Sequence, residues 1–339
     1  PRMAISGAIM KYLLYIAFVF STYTHADPYI PNDKDVIALS SKPKETEFTK
    51  EQLTALFNKS QFVGQTETNQ GMLKSYLEKQ ITLTEDPDIH YFYARLLQRE
   101  HEFETAINIL TEVISRKPDH TNAILLKANL LMVKGRFEQA LAQCLSLFGL
   151  VGLETISTCS LDVKSQTGEL EQSYQALQTI VKESSMTRNT RHVLAEMAYR
   201  LGYPEQTITY LSKLDLKKAP VSLVVLWADA QMAKKNYQLV LSTLARLTAE
   251  NTNLEDAILL RLAQAEKIEN QSVKWQEKMR KRVILRERRQ DTYHASDLAL
   301  YYLTLDKNNV KAKYWAEMNW QQAKLDSDKK LLALTNTSN

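Results

Sequence analysis

Small and apolar residues fall three and four positions apart along most of the chain, and the pattern comes in pairs. From Asp88 to Leu97, Ala94 and Leu97 share one face; after a polar break, Phe103, Ala106 and Ile107 lead on to Pro118. That spacing predicts two amphipathic helices joined by a short turn. The signature returns from Asn122 to Leu141, where Ala128 answers Ala94, Leu131 answers Leu97, Phe137 answers Phe103 and Ala140 answers Ala106, all at one and the same offset. A small residue in the first helix lets the second approach closely. The aromatic fills the turn, and the second alanine sits where both helices meet. Fainter copies follow, because Ser173, Thr207 and Val240 continue the Ala140 position at nearly the same interval. Further pairs are predicted at 254–269 with 272–289 and at 294–305 with 310–324, followed by an apolar tail at Leu331 and Leu332. Upstream, Thr49 and Gln52 have capping-box spacing, and another helix is expected over 71–81.

The offset matches the helix–turn–helix period of about 34 residues that marks tetratricopeptide repeats. Over positions 49–334 the chain resembles that family, most clearly at 87–120 and 121–154 and in degenerate form after 253. The resemblance implies an all-α, right-handed superhelical solenoid of antiparallel helix pairs, about six to eight of them. More narrowly, the chain is similar to a group of exported Gram-negative repeat proteins. The likeness runs through Leu96–Phe103, Lys134–Phe137 with Cys144, Cys159 with Gly168, and Asn319-Trp320-Gln321. That likeness implies a periplasmic helical scaffold and no particular reaction.

Composition strengthens the helical reading. The chain has 339 residues but only 8 Gly and 8 Pro, and neither occurs anywhere from Val221 to Asn339. Such scarcity of turn formers argues against sandwiches, barrels and Gly-rich phosphate loops. The segment 1–26 reads as an export signal: Lys11, an apolar core over 12–20, then a polar tail ending at Ala26, with cleavage expected there. The segment 1–9 is expected to lie upstream of the true start at Met10. The segment 27–48, with three prolines, reads as an extended lead-in to the repeats. No other stretch approaches the roughly 20 apolar residues of a membrane span. The net charge is +4, and removing the segment 1–26 leaves +2, too little to imply nucleic acid as a partner.

In tetratricopeptide arrays the concave groove is lined by the first helix of each pair. Carrying that register over gives Tyr91, Arg95, Gln98 and Arg99, then Asn122, Asn129 and Met132. Thr158, Asp162 and Gln166 follow, then His192, Glu196, Tyr199 and Arg200, and last Asp229 and Met232. Arg95, Arg99 and Arg200 suit bidentate capture of carboxylates such as a peptide C-terminus; the alternative is a solvated helix face of mixed charge. Cys144 and Cys159 fall on neighbouring antiparallel helices in this register, and an even cysteine count in an exported chain favours a disulfide. The other reading makes them two buried small hydrophobes. The basic run 274–289 is expected to bury Trp275, Met279, Val283 and Ile284 and to turn its charges outward, open to lipid-surface contact. No metal, nucleophile or Walker template is met. The expected function is therefore a non-enzymatic protein- or peptide-binding scaffold of the periplasm, without cofactor. The alternative is a structural subunit of an envelope complex, docked through its convex or basic surface.

Overall fold

A computed structural model describes residues 47–181, 186–249, 254–270 and 272–337. The expected export signal and all but the end of the lead-in lie outside the described residues. Among the described residues there are seventeen α-helices and one short 3-10 turn, and no strand. The helices are α1 (Lys50–Lys59), α2 (Gln70–Leu83), α3 (Pro87–Arg99), α4 (Phe103–Arg116), α5 (Thr121–Val133), α6 (Phe137–Leu145), α7 (Leu153–Ser165), α8 (Leu170–Ile180) and α9 (Arg188–Arg200). They continue with α10 (Pro204–Leu211), α11 (Val221–Ala233), α12 (Tyr237–Leu247), α13 (Asp256–Glu269), α14 (Lys274–Arg288), α15 (Ala295–Thr304), α16 (Asn309–Gln322) and α17 (Asp326–Thr337). The apolar pair at Leu331 and Leu332 belongs to a full helix, α17, rather than to a tail.

Local chemistry sets the helix ends. Thr49 and Gln52 form a reciprocal capping box, each side chain accepting from the other's backbone N–H, which satisfies two of the otherwise unpaired donors of α1. Pro87 and Pro204 occupy the first turns of α3 and α10, where a missing N–H costs nothing. Inside the pairs, the turns use one repeated device. His101, Gly135, Gly168, Gly202 and Lys235 all take left-handed backbone angles, with φ between 58° and 100°. After Gly135, the N–H of Arg136 reaches back to the carbonyl of Leu131 at 2.8 Å, and Glu102, Tyr203 and Asn236 make the equivalent bond. This is the Schellman closure, which satisfies the last carbonyls of a helix while reversing the chain.

Packing follows the small-residue register. Ala94, Ala128, Ala195 and Ala228 on first helices, and Ala106, Ala140, Ser173, Thr207 and Val240 on second helices, are all buried. The last five share one position, so the site tolerates growth from Ala to Val along the chain. Where Thr207 stands, its hydroxyl is satisfied by the carbonyls of Ala195 and Tyr203. One core cluster fills α3–α7, and a larger one joins α9–α17.

From Phe48 onward the chain forms one compact unit, whose pairs curl until late ones meet early ones. The N–H of Val221 donates to the carbonyl of Gln61 at 2.8 Å, and Glu255 accepts from Gly64 N–H and the Thr66 hydroxyl. The ring of His101 stacks on Tyr293, with centroids 5.4 Å apart. The joint between α16 and α17 lies along the early turns, where Lys324 N–H donates to the Val133 carbonyl and Asp326 N–H to the Gln166 side chain.

Candidate functional site

The first helices of five successive layers, α1, α3, α5, α7 and α9, face one cavity of about 570 Å³. Its wall includes Thr54 and Asn58 from α1, Tyr91, Arg95 and Gln98 from α3, and Asn122, Asn129 and Met132 from α5. Thr158, Cys159 and Asp162 come from α7, and Asn189 and Val193 from α9. Five carboxamides thus line the cavity, and among the described residues none of their side chains is hydrogen-bonded to protein. A carboxamide carries two donors and an acceptor, so the wall presents a row of paired donor and acceptor groups.

One register position gives this wall an electrical direction. Arg95, Asn129 and Asp162 of the wall follow one another at the repeat interval, passing from cation through amide to carboxylate, and the same position continues beyond the cavity with Glu196 and Asp229. The Arg95 guanidinium lies 4.7 Å over the ring of Phe57 and 5.9 Å from that of Tyr91. Among the described residues it has no carboxylate partner. Burial pulls its pKa down, opposed by Tyr91, and the half-buried guanidinium faces the cavity without a counter-ion among the described residues. Such a site strongly favours an incoming anion. Two layers along, burial pushes the Asp162 carboxyl up to about 7, with nearby Glu196 adding and Arg200 opposing. Glu196 is itself 3.9 Å from the His192 imidazole.

Other expected groove residues are engaged elsewhere. Arg99 turns away from this cavity and donates to the Ser60 hydroxyl and the Thr66 carbonyl. It lines a second cavity of about 700 Å³ at the closure, with His101, Pro220, Arg286, Tyr293 and His294. Arg200 donates to the Ser165 carbonyl at 2.7 Å and pairs with Asp326 at 3.2 Å. Asp229 chelates Arg261 through both oxygens, at 2.8 and 2.9 Å. Gln166 holds the backbone of Asp326, and Met232 packs against the large core. Burial pushes the neighbouring Tyr199 hydroxyl up to about 12, with Asp229 contributing. The groove is therefore open where α1–α9 border the cavity, while Gln166 and Arg200 at the helix ends face α17 and Asp229 faces Arg261.

Cys144 of α6 and Cys159 of α7 are joined in a disulfide, with their Cα atoms 5.6 Å apart. Because Cys159 lines the cavity, this bond staples the groove floor to the helix behind it. The basic run of α14 buries Trp275, Met279 and Val283, but its charges do not all turn outward. Arg282 and Arg286 point inward and share the buried carboxylate of Asp256 at 2.6 and 2.8 Å. A carboxylate that falls between two arginines on the next helix draws them in, which the run's composition alone does not reveal.

Asn58, Thr54, Asn189 and Val193 are among the cavity residues that sequence reasoning missed, as are the apolar Phe92, Leu125, Leu126 and Val163. Asn58 sits in a layer whose sequence carries little of the repeat signature, 37 residues before Arg95 and so off the repeat interval. Asn189 lies one turn before His192 on the same helix, so the groove uses the start of α9 more than its end. Among the described residues no three His, Cys, Asp or Glu side chains are grouped so as to hold a metal ion. No described helix is long and apolar enough to cross a membrane.

A tetratricopeptide repeat family model matches residues 97–147, the span from the end of α3 to just past α6. Among solved structures, a tetratricopeptide repeat protein from Parabacteroides merdae matches at 12% identity and a TM-score of 0.40, over 85% of this chain and 97% of that one. The C-terminal part of a TPR repeat-containing protein from Cytophaga hutchinsonii matches at 15% identity and a TM-score of 0.35, over 71% of this chain and 99% of that one. No curated protein matches.

Proposed function

We propose that this chain, whose residues 97–147 match a tetratricopeptide repeat model, is a non-catalytic scaffold that holds an extended peptide segment of another protein along α1–α9. The observation that carries this reading is the half-buried Arg95, without a counter-ion among the described residues, toward one end of a carboxamide-lined cavity. Its polarity sets a direction. A carboxylate of the ligand, such as a chain terminus, seats at Arg95, its backbone runs past the amides, and basic groups approach Asp162 and Glu196. Preformed helix faces supply contact area without ordering cost in the scaffold, and the polar positions set specificity. The periplasm of a Gram-negative cell is the compartment we assign, on the strength of the leader-like N-terminus and a disulfide, which suits an oxidising environment.

Fluorescence anisotropy with matched peptides, one with a free C-terminal carboxylate and one amidated, tests the reading. The free acid should bind the protein at least tenfold more tightly, and Arg95→Ala should abolish that preference while Arg99→Ala leaves it in place. Equal binding of both peptides to the parent protein would remove it. A second reading, a structural subunit docked through its convex face, draws support from α16, where Val310 and Tyr314 lie one turn apart and are 82% and 53% exposed.

A further inference from the structure

The edge of the array formed by the turns between pairs carries a feature that the groove does not use. The turn from α6 to α7 reads Ser146-Leu-Phe-Gly-Leu-Val-Gly-Leu153. Leu147 is fully buried with Ile124 and Ile156, and Val151 packs against the same small cluster. These two anchors alternate with residues that face out: Phe148 is 81% exposed, Leu150 41% and Leu153 65%. The turn is held by backbone hydrogen bonds from Phe148 to Leu145, Leu150 to Leu147 and Val151 to Leu147. A preformed apolar knob therefore projects from the edge, with its own inward residues fixing the outward ones.

Cations flank the knob on one side. Glu154, next to Leu153, accepts from the N–H of Thr187 and the hydroxyl of Thr190, which places the start of α7 against the start of α9. Arg188 and Arg191 of α9 in turn share a shallow surface hollow with Lys213 and Lys218 of the following turn. Lys213, Lys217 and Lys218 are exposed and make no ion pair among the described residues. Asp215 caps the Lys217 N–H, and Glu154 is engaged by the two threonines. Successive layers are about 10 Å apart, so knob and cations share one edge across roughly 20 Å.

We propose that this edge docks the protein on an anionic lipid bilayer, with Phe148, Leu150 and Leu153 entering the headgroup boundary and Lys213, Lys217 and Lys218 meeting lipid phosphates. A narrow convex knob beside flexible cations suits a deformable, negatively charged surface, because apolar insertion and electrostatic attraction act together there. The proposal stands apart from the groove, which opens between first helices and not along this edge.

Vesicle flotation of the chain from Asp27 onward tests it. Vesicles of phosphatidylglycerol with phosphatidylethanolamine should retain the protein at least tenfold better than phosphatidylcholine vesicles, less so as salt is raised. Phe148→Ser with Leu150→Ser and Leu153→Ser should lower retention at least tenfold. Lys213→Glu with Lys217→Glu and Lys218→Glu should erase the preference for anionic lipid. All six side chains are exposed or stand on a turn, so unchanged helical circular dichroism accompanies the expected result. In Phe148→Trp, tryptophan emission should shift to the blue on adding anionic vesicles. No lipid preference, an unshifted emission, or loss of binding only on reversing Lys274, Lys278 and Lys281 of α14 would overturn the proposal. The peptide assay on Arg95 is blind to these substitutions, so the two readings fail separately.

Discussion

The layers α3–α8 and the layers α11–α17 solve the same packing problem by different means. In the first, Ala94, Ala106, Ala128 and Ala140 let helices approach, and the contacts between layers are largely apolar. In the second, charged side chains are buried between helices. Asp256 lies between Arg282 and Arg286, and Arg261 between Asp229 and Asp297. The buried Glu266 accepts from the N–H groups of Trp275 and Gln276 and so caps the start of α14. Small-residue packing needs few polar groups inside, which leaves the groove-facing carboxamides of α3 and α5 without protein partners. Ionic packing engages the equivalent positions, as at Asp229. The open groove and the faithful repeats coincide for that reason.

The comparison breaks most visibly at Asp256. Replacing it with Ala removes the carboxylate that both guanidinium groups share, leaving Arg282 the Leu254 carbonyl and Arg286 the Asp291 carboxylate, and removing one partner of a buried pair costs about 3–5 kcal/mol. The urea midpoint should fall accordingly, whereas Arg95→Met, at a cation without a counter-ion, should leave stability unchanged or raise it. Similar losses from both would show that the two halves do not differ in this way. Next in size is the disulfide. Replacing Cys144 and Cys159 with Ala should cost about 3 kcal/mol for a 15-residue loop on the chain-entropy model, and the same loss should follow reduction of the parent. Reduction that leaves the midpoint in place would mean that the apolar layers hold the groove floor alone.

Gly135→Ala probes the joint between the two regions. Gly135 has a φ of +75°, and an added Cβ would stand 2.8 Å from the Cβ of Lys324. Left-handed strain alone is about 1 kcal/mol, and the crowding acts on the α16–α17 joint. We expect a loss of about 1–2 kcal/mol, compared with about 1 kcal/mol for Gly168→Ala, where φ is +100° and nothing lies within 4 Å. Equal losses at the two glycines would indicate that the joint yields freely, and the midpoints of the two variants decide it.

Much of this architecture was legible from residues alone, and where it was not, the physical cause is identifiable. The repeat period marks left-handed turn positions, and it carried the helix pairs, the packing positions and the proximity of Cys144 to Cys159. It also found most of the cavity wall on α3, α5 and α7. It misplaced Arg99, Arg200 and Asp229, because their partners, Thr66, Asp326 and Arg261, lie 33, 126 and 32 residues away. Asp326 belongs to a helix outside the repeat register altogether. Register predicts which way a side chain leaves its own helix; it does not say what the superhelix later brings in front of it. The inward turn of Arg282 and Arg286 went unseen for the same reason, since Asp256 opposite them is a polar residue in what reads as a helix start.

The smallest effect is the most informative about the groove. Burial, with Glu196 adding, raises the Asp162 carboxyl from an ordinary 3.8 to about 7, so the folded protein keeps a proton that the unfolded chain releases. Below pH 3.8 both states are protonated and the group contributes nothing to pH dependence. Between those two values stability falls as pH rises, and above about 7 the full cost of the buried charge is present. Asp162 borders an open cavity, so solvent screening reduces that cost to roughly 1 kcal/mol. Asp162→Asn keeps the shape and removes the charge. The variant should match the parent at pH 3.5 and exceed it by about 1 kcal/mol at pH 8 in urea denaturation. A basic peptide in the groove should narrow that gap at pH 8, because a cation beside the carboxylate removes the penalty that the substitution removes. A gap that is constant across pH would mean that Asp162 ionises normally and that the acidic end of the groove offers a ligand no special attraction.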